Sequence, residues 1–215
     1  LSAAGRTSTA VIQPCLFDVG ERAPGRHPDD FYATPPWCTD AILPHLPTGG
    51  VILEPSCGDG AILARLAASA APSRLHLVGV ELHPGRAEQA RGRVLGAYIM
   101  EGDFLTRGEE IAALYPDLCL IIGNPPFSLA MSFVEAALRL AAPTRATVAM
   151  LLRLAFLESI ERQAFHAVHA ADLYPLAKRP SFTGEGTDSA AYAWWVWGPG
   201  RGGRWFPPLL PGGAS

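Results

Sequence analysis

The sequence predicts an α/β domain built on a mostly parallel, doubly wound sheet of seven strands. Apolar runs of strand length alternate with helix-like stretches from about residue 51 to 168, and the runs carry few charges, as strands buried on both faces do. The last two runs, 172–177 and 190–197, are joined by a loop too short for a crossover helix and predict an antiparallel hairpin at the sheet edge. At 215 residues and 49% hydrophobic content the chain can bury a full core, most simply as one domain over residues 31–197. Residues 1–30 lack periodicity and carry Pro14, Pro24 and Pro28, which reads as a flexible arm. Residues 198–215 read as a Pro/Gly-rich tail.

Bulk charge narrows the function. A net charge of −3 excludes a general polyanion-coating surface. All the basic residues except Lys178 are arginine, which suits phosphate or base contacts and also fits a GC-rich coding sequence. Cys15, Cys38, Cys57 and Cys119 show no C-x-x-C pair and no histidine at zinc spacing, as expected of a reduced, cytoplasmic chain without structural metal. His166 and His169 have no Cys or carboxylate at metal spacing and read as surface histidines. No stretch has membrane-spanning length and no charged-then-apolar leader opens the sequence, so no membrane partner is expected.

In chain order, Phe31 to Trp37 leads into a helix near 37–46, with Pro36 at its first turn. This stretch reads as an aromatic turn packing the arm on the domain, or as a hydroxyl and free N–H groups able to hold a carboxylate. Val51 to Ile62 reads as strand, tight loop and helix, with Gly58 and Gly60 permitting a turn against which a ligand can lie. It lacks the third glycine of a dinucleotide loop, and Glu54 and Asp59 would repel a pyrophosphate while tolerating a cation. The strand 75–81 ends on Glu81, 21 residues after Gly60, the spacing at which one βαβ unit brings an acid to a ribose diol. Glu81 could equally cap the helix opened by His83-Pro84. A third strand, 97–100, precedes Asp103 and Phe104, a carboxylate able to accept from an adenine amine beside a ring able to pack on it, although Phe104 also suits plain core.

The apolar run Leu118 to Gly123 ends in the corner Asn124-Pro125-Pro126-Phe127. Two prolines fix their own φ and restrict the residue before them, so the Asn124 amide and the Pro125 carbonyl form a stiff pair of acceptors. Such a pair would bind both N–H groups of an exocyclic amine and favour a tetrahedral nitrogen with an available lone pair, with Phe127 stacked on the ring. A helix near 128–142, a strand at 146–152 and a helix near 158–168 follow. In the 178–189 loop, Lys178 and Arg179 suit phosphates, Phe182 suits an extruded base, and Gly184 and Gly186 allow movement; it also reads as an ordinary exposed hairpin loop. Trp194, Trp195 and Trp197 alternate along the last strand as core and edge packing.

Asn124-Pro125-Pro126-Phe127 resembles the catalytic tetrapeptide of amino methyltransferases acting on adenine N6 and on some glutamine side chains. Glu54-Pro55-Ser56-Cys57-Gly58-Asp59-Gly60 is similar to their first S-adenosylmethionine (SAM) motif. Thr34-Pro35-Pro36 resembles the segment that touches the methionine end of SAM in one order class of them. The order resembles the gamma arrangement of DNA N6-adenine methyltransferases, small phage-encoded or orphan enzymes above all.

That resemblance implies a Rossmann-like class I methyltransferase fold, SAM as cofactor and adenine in DNA as substrate. It implies catalytic roles for Asn124, Pro125, Pro126 and Phe127, and cofactor contacts from Tyr32, Thr34, Pro35, Glu54, Ser56, Cys57, Gly58, Glu81, Asp103, Phe104 and Asn124. Phe127, Lys178, Arg179 and Phe182 would meet substrate. The same corner suits RNA adenine or protein glutamine, and a catalytically idle SAM-fold subunit is the rival from another class. Only residues 153–215 follow Leu152, which leaves no room for a separate target-recognition domain. Specificity is then set by loops, is lax, or depends on a second subunit.

Overall fold

The computed structural model describes residues 31–47, 49–69, 75–182 and 188–212; the expected flexible arm, Cys15, Gly184 and Gly186 lie outside them. The elements are α1 (Pro36–Ile42), β1 (Gly50–Glu54), α2 (Ala61–Ser69), β2 (Leu75–Glu81), α3 (Pro84–Arg93), β3 (Tyr98–Glu101), α4 (Gly108–Leu114), β4 (Leu118–Gly123), α5 (Ala130–Ala141), β5 (Thr147–Arg153), α6 (Ile160–Val168), β6 (Asp172–Pro175) and β7 (Tyr192–Trp197). They form a seven-stranded sheet of order β3-β2-β1-β4-β5-β7-β6. β1 to β5 pair in parallel, and β7 inserts between β5 and β6, antiparallel to both. The expected hairpin is therefore present, and its second strand lies on the inside.

Strand periodicity explains the two layers around the sheet. Leu120 and Ile122 of β4 face a core shared with Ile42 of α1, Ile62 and Leu63 of α2 and Ala90 of α3. Ile121 faces the other way, toward Ile111 of α4 and Phe133, Val134 and Ala137 of α5. Successive side chains of a strand point to opposite faces, so a strand covered on both must be apolar throughout. β7 follows the same rule: Trp194 joins the first core, and Trp195 and Trp197 the second. All three tryptophans are buried, in agreement with a packing role.

Three features depart from the sequence reading. α4 was not anticipated; it is one short helix with a single buried residue, Ile111, too brief to show a period. His166 is half-buried, stacks on Trp195 at 5.6 Å and places Nε2 3.1 Å from the Phe156 carbonyl, whereas His169 is exposed. Residues 204–209, expected as loose tail, run along the outer side of β6. The Leu173 N–H donates to the Arg204 carbonyl and the Phe206 and Leu209 N–H groups donate back to Leu173 and Pro175. Phe206 stacks on Tyr174 at 4.2 Å, and the buried Asp172 carboxylate accepts from the Gly202 and Arg204 N–H groups and from the Arg204 guanidinium.

Among the described residues no helix is long and apolar enough to cross a membrane, and no group of three or more His, Cys, Asp or Glu is placed to hold a metal ion.

Candidate active site

The strand order reverses direction between β1 and β4, and the carboxyl ends of adjacent strands diverge there into a crevice. β1 delivers Glu54 and the glycine loop, β2 delivers Glu81, β3 leads to Asp103, and β4 delivers Asn124. These side chains line one cleft of about 150 Å³. Of the cofactor set expected from sequence, Tyr32, Thr34, Ser56, Cys57 and Phe104 line it as well. Pro35 and Gly58 do not: Pro35 precedes α1 and accepts from the Cys38 N–H, and the Gly58 N–H is turned to Glu81 Oε2.

The glycine loop is held through its main-chain N–H groups. The Cys57 N–H donates to the Val80 carbonyl and the Gly58 N–H to Glu81 Oε2 at 2.9 Å. Gly58 and Gly60 have φ of +55° and +82°, the left-handed region that only glycine enters without cost. A Cβ on Gly60 would press on Ala90 of α3, and one on Gly58 would stand 2.3 Å from the ring of Phe31. The chain's own aromatic ring, rather than a ligand, is thus the nearest reason for glycine at 58. Glu81 also accepts from the His83 N–H and from Arg86, whose guanidinium lies over Phe31 at 4.8 Å. Neither Phe31 nor Arg86 carries a sequence signal that singles it out.

Polar atoms without partners concentrate in this cleft. Among the described residues the buried side-chain oxygens lacking a hydrogen bond include Glu54 Oε2, Ser56 Oγ, Asp59 Oδ1 and Asn124 Oδ1, all on residues that line it. Three of the four can only accept when ionised or amide oxygens, so the cleft fits a ligand that brings donors and positive charge. Burial pushes the Glu54 carboxyl well above the usual carboxylate range; the charges of Asp59 and Glu81 add to this and a backbone N–H at Leu63 opposes it. Burial likewise raises the Cys57 thiol, with Glu54 and Glu81 adding to the effect. Both effects favour the protonated thiol over the thiolate.

At the corner, the Asn124 Nδ2 group donates to the Tyr32 carbonyl and to Thr34 Oγ1, each at 3.1 Å. Asp103 is tied locally, accepting from the Leu105 N–H at 2.9 Å, and Phe104 packs on Phe133 as core. Phe127 is stacked on Tyr32 at 5.2 Å and covered by the Arg153 guanidinium at 4.4 Å, with Tyr192 at 5.7 Å and Phe182 at 6.1 Å. Phe182 also lies 5.8 Å from Tyr32, so the loop aromatic does reach the corner. Arg153 is fixed by Tyr192 and Asp188, a cluster no spacing in the sequence revealed. Lys178 and Arg179 are exposed and line no part of the cleft.

This architecture recurs in solved structures. A type I restriction-modification system methyltransferase subunit from Streptococcus thermophilus superposes with a TM-score of 0.59 and 15% identity, over 79% of this chain and 45% of its own. A protein from Vibrio vulnificus, assigned as a modification subunit of a type I restriction enzyme, gives 0.58 and 17% over 81% and 45%. A Listeria monocytogenes protein, assigned as a class I SAM-dependent methyltransferase, gives 0.54 and 14% over 81% and 61%.

The chain has the class I methyltransferase fold.

It spans less than half the length of the two restriction-modification subunits. No protein-family model and no curated protein matches the sequence. The methyltransferase fold accounts for the placement of the cleft at the topological switch point, with the four strand-end acids and amides around one opening.

Proposed function

We propose that this domain transfers the methyl group of SAM to the N6 amino group of adenine in DNA, in the cytoplasm. The observation that carries the reading is the buried, partnerless Asn124 Oδ1 at the edge of a cleft lined by partnerless acidic oxygens. SAM supplies an electrophilic methyl group on a cationic sulfur. Glu54, Asp59 and Ser56 provide acceptors for a donor-rich, positively charged cofactor, and Glu81, which lines the same cleft, is assigned to the ribose hydroxyls by its strand-end position. Asp103 and Phe104 complete the site for the cofactor's adenine, with Tyr32 and Thr34 closing it from the preceding segment.

Adenine leaves the helix, at the cost of its stacking, and meets Asn124 and the Pro125 carbonyl, which accept from the N6 hydrogens. Those acceptors disperse the positive charge that develops as the nitrogen lone pair forms its bond to the methyl carbon. Bound SAM would supply the methyl carbon and its sulfur would keep the carbon–sulfur bonding pair, after which N6 would lose a proton to water. Phe127 and Phe182 are the aromatic walls. Tyr32 now covers the face of Phe127, so a base stacking there displaces the Tyr32 ring. Lys178 and Arg179 are exposed for phosphates. DNA as the substrate, and recognition through a second subunit, are supported by the restriction-modification subunits of like fold.

The test is transfer of labelled methyl from SAM to duplex DNA, single-stranded DNA and RNA in parallel, read by nucleoside mass spectrometry. N6-methyladenine in DNA, reduced at least roughly 100-fold in Asn124→Ala with SAM affinity retained, is expected. Label in RNA alone, or in protein alone, would replace the substrate; a large loss of SAM affinity in Asn124→Ala would remove its proposed role.

A further inference from the structure

The orientation of the Asn124 amide is set from a distance of some ninety residues along the chain. Its nitrogen faces two atoms of the segment ahead of α1, the Tyr32 carbonyl oxygen and Thr34 Oγ1, both at 3.1 Å. A carbonyl oxygen only accepts, so the amide must present N–H there and its oxygen on the opposite side. Both amide hydrogens are spent in these two bonds. Oδ1 is left buried without a partner. Thr34 is itself 5% exposed, and Pro35 and Pro36 fix the chain immediately after it.

We infer that the segment 32–34 is a positioning element for methyl transfer: the Tyr32 carbonyl and the Thr34 hydroxyl lock the Asn124 side chain in the one orientation that turns its oxygen to the substrate amine. This rests on the methyl-transfer reading. An amide rotated by 180° would offer N–H groups to the N–H groups of N6, which repel, and the amine would lose its acceptor. The Tyr32 bond comes from the main chain and survives any substitution at 32. Thr34 supplies the bond that a side-chain change can remove. Its hydroxyl thus acts on the chemical step through Asn124, in addition to any contact with the cofactor.

Asn124 is the single asparagine of the chain, so [15N]asparagine labelling yields one side-chain NH2 pair and a direct view of the lock. Thr34→Val keeps the shape and removes the hydroxyl; Thr34→Ser restores it. The expected result is a roughly tenfold lower single-turnover rate in Thr34→Val, a SAM dissociation constant within about twofold of the parent, and recovery in Thr34→Ser. In parallel the two Asn124 NH2 protons should exchange slowly in the parent and in Thr34→Ser, and faster in Thr34→Val. Weaker SAM binding with an unchanged single-turnover rate would overturn the inference and leave Thr34 a cofactor contact only. If the parent methylates no substrate at all, the proposed function fails by itself. The NMR arm then decides the lock alone: a protected NH2 pair that opens in Thr34→Val sustains it, and an unprotected pair in the parent removes it.

Discussion

Glu54 is a carboxyl placed far from water. It is buried at the end of β1 among Asp59 and Glu81, and its carboxyl is held well above the usual range, first by burial and then by those charges. A cationic ligand in the cleft favours the ionised form, so binding SAM should release a proton. The sign follows: affinity rises with pH until Glu54 is ionised in the empty protein as well, and falls as pH drops. Calorimetry of SAM binding near pH 7 in two buffers of different ionisation enthalpy should show proton release in the parent and none in Glu54→Gln. Equal enthalpies in both buffers for the parent would show that Glu54 does not sense the cofactor's charge. At this scale the sequence was legible wherever a residue acts through its neighbours in the chain. Gly58 and Gly60 were readable as turn glycines because φ is local, but the ring that Gly58 makes room for, Phe31, sits 27 positions earlier. The corner at 124–127 was readable, whereas the direction of its amide depends on Tyr32 and Thr34.

At the scale of elements, the alternation of strands and helices followed from periodicity, and the hairpin followed from a connection too short to cross the sheet. α4 escaped because seven residues with one buried position carry no period. The packing of residues 204–209 escaped because Gly and Pro signal irregular backbone and say nothing about which strand that backbone can pair with. Its anchor is Asp172. Burial alone would raise that carboxyl, but the Arg204 guanidinium and the N–H groups of Gly202 and Arg204 outweigh it and hold the carboxyl at about 2, below the usual 3.8. The stabilisation is complete above about pH 4 and is lost as pH falls through about 2, a contribution of about 2 kcal/mol. Thermal midpoints from pH 6 to pH 2 should therefore fall more steeply for the parent than for Asp172→Asn, which starts lower. Parallel curves would show that Asp172 gains nothing from its partners.

On the scale of the whole molecule, the fold places three acids, an amide and a glycine loop around one opening, although the sequence distances between them range from a few residues to seventy. That convergence is why motif order was informative while no single motif was.

The strip of residues 204–209 along β6 has one more consequence. Open sheets have two rims, and an uncovered rim is a template on which a second copy can extend the hydrogen-bond ladder. Residues 204–209 occupy the β6 rim and take up the Leu173 N–H and the Leu173 and Pro175 carbonyls. A chain ending at Gly200 would expose those groups beside Tyr174, whose stacking partner Phe206 would also be gone. It should self-associate rim to rim, seen as a concentration-dependent rise in light scattering that the full chain does not show. The last stretch of this chain would then be what keeps its sheet finite.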